Sequence, residues 1–201
     1  MPRDKGVKKS KLPLIMTIFI ALLMVMSVAG YNIFGSSSDV TVTNYNGYKV
    51  RDFGDHVEVK IGGKYVPFTT NPQEAELVNI EPAVIDNIKG TKQIYITFNP
   101  DQTKEALQQI DYNRFEFGRQ LAEQFSIYAV QGITSTIPSL NLPQITCANA
   151  TQFVPVIELR ESNKTAVVKE KNNCIILEAS NPNDFTRLRE RIIYGLYGVL
   201  K

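Results

Sequence analysis

Two cysteines, Cys147 and Cys174, a single histidine, His56, and glutamates at 158, 161, 170 and 178 are the side chains on which chemistry would draw. A nucleophilic triad needs a Ser or Cys and a carboxylate around its histidine. Asp55 and Glu58 lie near His56 in sequence, but no Gly-x-Ser-x-Gly elbow is present, and an exposed turn histidine is the simpler reading. Placed on alternating strands, Glu158, Glu161, Glu170 and Glu178 would face solvent and pair with Arg160, Lys169 or Lys171. That is a mixed-charge sheet face rather than a glycosidase acid–base pair. A metal site has little to draw on, because one His and two Cys leave zinc short of a fourth nitrogen or sulfur ligand. There is no Cys-x-x-Cys, no phosphate-binding loop and no dinucleotide fingerprint. No catalytic, cofactor-binding or metal-ligating residue is assigned, and no cofactor is implied. Asn149-Ala150-Thr151 and Asn163-Lys164-Thr165 match the N-glycosylation acceptor pattern, with Asn163 in what reads as a hairpin turn.

What must hold these residues begins with an uncharged run from Leu12 to Ser38, entered through Arg3, Lys5, Lys8, Lys9 and Lys11. A bilayer-spanning helix needs about 20 mainly apolar residues, and 13–34 meets that length. The basic tail 1–12 would stay in the cytoplasm and everything after residue 38 would be exported. Small residues at Ser27-Val28-Ala29 also admit a cleaved signal peptide, although Tyr31, Ile33 and Phe34 extend the run past that point as an anchor would. Residues 35–39 form a short stalk and 40–201 one exported domain. Five of the 22 basic residues and one of the 20 acids lie in the first 11 positions. This leaves 17 against 19 and a net charge of −2 beyond the tail, so the basic balance does not point to nucleic acid. In an oxidising exterior two thiols that meet form a disulfide, and here none is left over. A loop of about 28 residues would stabilise by about 3 to 4 kcal/mol in the chain-entropy model. Two separate core cysteines are the other arrangement.

The exported part opens with turn signals, Asn46-Gly47, Gly54-Asp55 and Gly62-Gly63, between runs such as Val57, Val59 and Ile61 that alternate with Glu58 and Lys60. These predict an antiparallel meander, with Pro67 on an edge or at a non-bonded position. Glu81-Pro82 to Gly90 reads as a short helix and Ile94–Phe98 as a central strand. Asp101 is expected to cap a helix, bent or broken in two, that reaches about Phe125. A strand over Ile127–Ile133, a loop over Thr134–Pro143 and strands over Phe153–Leu159, Thr165–Lys169 and Cys174–Ala179 follow. In the last helix Asn181 caps and Pro182 takes the first position. Phe185, Leu188, Ile192, Leu196 and Val199 share a face, with Arg187, Glu190 and Arg191 turned away from it. Gly195 and Gly198 inside that helix imply close packing on its own sheet or a groove for a partner. The class is α+β or mixed α/β, with helices packed on a mixed sheet.

Three groups of residues carry a resemblance: Ile61–Phe68 with Asn71-Pro72; Ile94–Pro100; and Thr146–Thr151 with Pro155-Val156-Ile157, Cys174–Leu177 and Arg191–Val199. Together they resemble a group of small, single-span exported proteins of archaeal genomes, itself uncharacterised. The resemblance implies an archaeal envelope setting and a Cys147–Cys174 pairing, and it transfers no activity. The expectation is a membrane-anchored, non-enzymatic envelope component, with the bilayer as one partner and an envelope protein or surface polymer as the other. The alternative is an exported hydrolase acting on envelope polymers.

Overall fold

A computed structural model describes residues 16–26, 40–137 and 140–201. The chain divides into two compact units, Met1–Asp39 and Val40–Lys201. In the first, residues 16–26 form helix α1, with every described side chain exposed. Among the described residues no helix is long and apolar enough to cross a membrane. The rest of the expected span 13–34, the basic tail and the stalk lie outside the described residues.

In the second unit β1 (Thr41–Tyr45), β2 (Tyr48–Asp52), β3 (Val57–Ile61) and β4 (Lys64–Phe68) form an antiparallel sheet in sequential order, the expected meander. Its two tight hairpins turn on Asn46 and Gly47 (φ 49° and 85°) and on Gly62 and Gly63 (56° and 86°). Both central residues at positive φ give the twist that a two-residue connection requires. Pro67 lies on the outer strand β4 opposite Glu58, where its missing N–H is not needed by β3.

Helices α2 (Pro72–Glu76) and α3 (Pro82–Lys89) lead into β5 (Gln93–Phe98), α4 (Lys104–Phe125) and β6 (Tyr128–Gln131). Strands β7 (Val156–Glu161), β8 (Ala166–Lys169), β9 (Cys174–Ala179) and helix α5 (Asp184–Tyr197) complete the chain. The second sheet runs β6-β5-β7-β9-β8, parallel except for β8. Ile94, Ile96, Ile157, Leu159, Ile175 and Leu177 point from it into the main core.

Three local expectations are corrected. Helix α4 is continuous, and its cap is Thr103, whose side chain accepts from Ala106 N, because Asp101 is held in the preceding turn by Asn99. Helix α5 starts at Asp184 after an N-cap at Asn183, while the Asn181 side chain accepts from Asn183 N one step earlier. Gly198 is not inside that helix but ends it in the left-handed conformation (φ 77°), and Gly195 packs against Ile85 of α3 rather than against a sheet.

The largest departure concerns the far side of α5. It packs on β9, and it also stacks Tyr194 on Phe68 of β4 at 4.1 Å between ring centroids. With a sheet on each side, Glu190 and Arg191, expected to be turned away from the core, are buried together with Arg189, each at most 3% exposed, while Arg187 stays partly exposed. Each of the three buried side chains has work there. Glu190 accepts from Thr69 N (3.0 Å) and Thr70 N (2.7 Å), Arg189 donates to Glu190 (2.9 Å), and Arg191 donates to the carbonyls of Val78 and Lys201.

Candidate functional site

Cys147 and Cys174 are joined by a disulfide, with Cα atoms 5.3 Å apart. It fastens the segment after β6 onto the outer face of the second sheet, where Ile145, Ala150, Val156, Cys174 and Ile176 make a separate small core. The glutamates divide between the two faces. Glu161 turns to the other side and accepts from Thr103 N and Thr103 Oγ1, so a carboxylate of the chain itself occupies the N-terminus of α4. Phosphate is favoured at such a position in an open parallel sheet, which makes the occupation a bar to it.

Glu158 and Glu178 share the disulfide's face but are not solvated as expected, since both are largely covered. Burial pushes Glu158 above the usual carboxyl range and Glu170 adds to that, while Arg160, 4.0 Å away, opposes it. Burial acts on Glu178 in the same sense, but a hydrogen bond from Arg160 (2.7 Å) and the paired charge of Lys164 hold its carboxyl below the usual range. Glu170 is exposed. Asn149 and Asn163 are both exposed, Asn149 with its Oδ1 accepting from Thr146 N and Asn163 in the turn between β7 and β8.

His56 pairs with Asp55 at 2.7 Å, stacks on Phe53 and sits at the rim of a cleft of about 350 Å³ between β4, α4 and α5. Tyr112, Glu116, Arg119, Arg189 and Tyr197 line the cleft. Its charges are matched internally. Arg119 bridges Glu116 and Glu123 at 2.7 Å each, and its hydrogen bond holds the Glu116 carboxyl low against the upward pull of burial. Neither Ser nor Cys is among the described residues that line it. Thr69 is the threonine that lines it, and its backbone N–H is tied to Glu190.

Among the described residues, the feature without internal partners is the edge of the first sheet. In β1, Tyr45 pairs with Tyr48 across the two-residue turn, so Tyr45, Thr43 and Thr41 direct their backbone groups to β2. The N–H and C=O of Val42 and Asn44 then point outward. All of β1 but Tyr45 is exposed, and Val42 is 51% exposed. The other sheet edges carry the usual protection. Strand β4 has Lys64 and Pro67, β8 ends in Lys169, and the edge of β6 is continued by a bridge from Ile133 to Gln144. β1, Thr-Val-Thr-Asn-Tyr, has neither charge nor proline. Turn chemistry and alternation could have flagged this strand, but that it ends a sheet uncovered was not legible without the topology.

No family model matches the chain, nor does any curated protein or solved structure.

Proposed function

We propose that this chain is a membrane-anchored, extracytoplasmic component of the cell envelope that works by binding, and that its partner adds a strand to β1. The observation that carries the reading is the open, uncharged edge at Val42 and Asn44, whose backbone groups offer a partner strand the same bonds that a sheet neighbour would make. Export is supported by the Cys147–Cys174 disulfide, because such bonds persist in oxidising compartments. An anchor at 13–34 is supported by α1, which presents Phe19, Ile20, Leu22, Met24 and Val25 on all sides, as a helix facing lipid does. Strand addition selects a polypeptide partner over a surface polymer.

A photoreactive residue in place of Val42, activated in the native membrane, tests this. A discrete adduct with a polypeptide is expected, and it should vanish when Asn44→Pro removes one outward N–H. No adduct at Val42, or one indifferent to Asn44→Pro, would overturn the reading. One observation favours the alternative hydrolase, the buried Glu158 carboxyl with its raised proton affinity, since a general acid needs that property. That reading requires hydrolysis of envelope polymers by the protein and its loss in Glu158→Gln.

A further inference from the structure

We infer that the strand added to β1 is the β1 of a second copy of this chain, paired antiparallel about a two-fold axis at Thr43. The inference rests on the reading of β1 as a docking edge and names its partner.

The argument begins with what a two-fold axis demands. Self-pairing brings every residue near the axis up against its own copy, so any charge there meets the same charge, and like charges directly opposite destabilise a strand pair. Self-pairing of β4 in the corresponding register would set Tyr65 against Pro67, whose missing N–H removes one bond from each pair. β1 has no charge in any of its five positions. An edge evolved for a different protein has no need of that neutrality, because complementary charges would improve both affinity and choice of partner.

The register follows from which backbone groups are free. Val42 and Asn44 are the outward residues of the strand. The antiparallel register that uses both on each copy places Val42 opposite Asn44 of the second copy and Asn44 opposite its Val42. Each of these pairs exchanges two backbone bonds, about four in all. Thr43 then faces its own copy in a non-hydrogen-bonded pair, with Cβ atoms about 4.5 to 5.5 Å apart, where two threonines can hydrogen-bond. Thr41 faces Tyr45. The product is an eight-stranded antiparallel sheet built from two four-stranded meanders, and it buries the outward edge of β1.

Four backbone bonds over five residues make a small contact, below the size of an interface that holds in dilute solution. Two copies held in one bilayer meet at a far higher effective concentration than two copies in solution. The pairing is therefore expected between anchored chains and weak between detached ones.

The disulfide supplies a clean test, because neither native cysteine is free. Thr43→Cys in the full chain, in native membranes under mild oxidation, should give a covalent dimer at twice the 22.6 kDa chain mass on non-reducing electrophoresis. Glu105→Cys, at an exposed position on α4, should give at most a tenth as much. Adding Val42→Glu, which faces Arg51 within its own sheet, to Thr43→Cys places two glutamates beside the axis and should cut the dimer at least tenfold, with the far-ultraviolet circular dichroism of the chain unchanged. No dimer from Thr43→Cys, an equal yield from Glu105→Cys, or indifference to Val42→Glu overturns the inference. A dimer formed through Val42→Cys but not Thr43→Cys overturns the register and so the inference as stated. A photo-adduct at Val42 that contains a different polypeptide, with no Thr43→Cys dimer, overturns it while leaving the docking role of β1 standing.

Discussion

Glu158 and Glu178 project from adjacent strands on the same sheet face, and burial acts on both, yet their protons respond in opposite directions. The difference lies in their partners. Glu178 takes a 2.7 Å bond from Arg160 and a second cation at Lys164, whereas Arg160 reaches Glu158 only at 4.0 Å. Two opposed pH dependences follow. For Glu158 the folded-state pKa lies above the unfolded one, so its contribution is whole below the ordinary range near 4.3 and is lost as pH rises through the folded value. Glu158→Gln should therefore raise the unfolding temperature at neutral pH and leave it unchanged near about pH 3. For Glu178 the folded-state pKa lies below the unfolded one, and its contribution is present at neutral pH and lost as pH falls through the folded value. Glu178→Gln should lower the unfolding temperature at neutral pH and converge with the parent in acid. Thermal scans of both variants from about pH 3 to 8 check this, and two curves moving the same way at neutral pH would contradict the assignment.

Most elements can be read from their local chemistry, because local chemistry makes them. Asn46-Gly47 and Gly62-Gly63 fix the hairpins, Glu81-Pro82 and Gly90 bracket α3, and Cys174–Ala179 is a strand to the residue. Helix α5 shows where that stops. Its apolar row, Phe185, Leu188 and Ile192, was legible, but a pattern of period 3.6 gives only the face that prefers burial. That Arg189, Glu190 and Arg191 are buried too depends on a sheet some 120 positions earlier in the chain folding over them. The candidate edge at β1 was hidden for the same reason, since alternation reveals a strand but not its neighbours. Gly195 tests the packing of α5 directly. A Cβ there would lie 2.6 Å from Ile85 Cδ1 and 2.8 Å from Ile85 Cγ1, well inside contact distance. Ala is the better helix former by about 1 kcal/mol, but overpacking a buried contact costs about 1 to 3 kcal/mol. Gly195→Ala is expected to destabilise in denaturant titration, and Ile85→Val, which removes Cδ1, should cost less in that background than in the parent. Equal costs would place the strain elsewhere.

For the molecule as a whole the disulfide is a covalent tie within the smaller of its two cores. The main core lies among α3, α4, α5 and both sheets, and it contains no cysteine. The small core on the outer face contains Cys174 itself, with Cys147 packed against it, and its lid is the irregular segment that follows β6. Closing a loop over a sequence separation of 27 contributes about 3 to 4 kcal/mol in the chain-entropy model. That sum is a large part of the stability of a domain this size. Its loss need not be shared evenly, because the lid is otherwise held by scattered bonds, among them the Ile133–Gln144 bridge, the Thr97 Oγ1 bond to the Ile145 carbonyl, the Thr91 Oγ1 bond to the Phe153 carbonyl, the Tyr95 N–H bond to the Pro155 carbonyl and the Asn173 bonds to the carbonyls of Thr151 and Gln152. Reduction should therefore act in two steps. Mild reductant is expected to speed amide exchange across residues 144–155 and in β8, while β2, β3 and α5 keep their protection. Global unfolding should then need less denaturant by an amount equivalent to about 3 to 4 kcal/mol. Hydrogen exchange followed by mass spectrometry separates the two, and a uniform loss of protection on reduction would mean that the two cores open as one. The same dependence ties stability to location. A chain whose lid stays shut only when oxidised is suited to the exterior, so in intact cells a membrane-impermeant thiol reagent should label Cys147 only after a reductant is added. Labelling that needs lysis but no reductant would put the domain on the reducing side of the membrane and remove the physical basis for the anchored, outward-facing arrangement we propose.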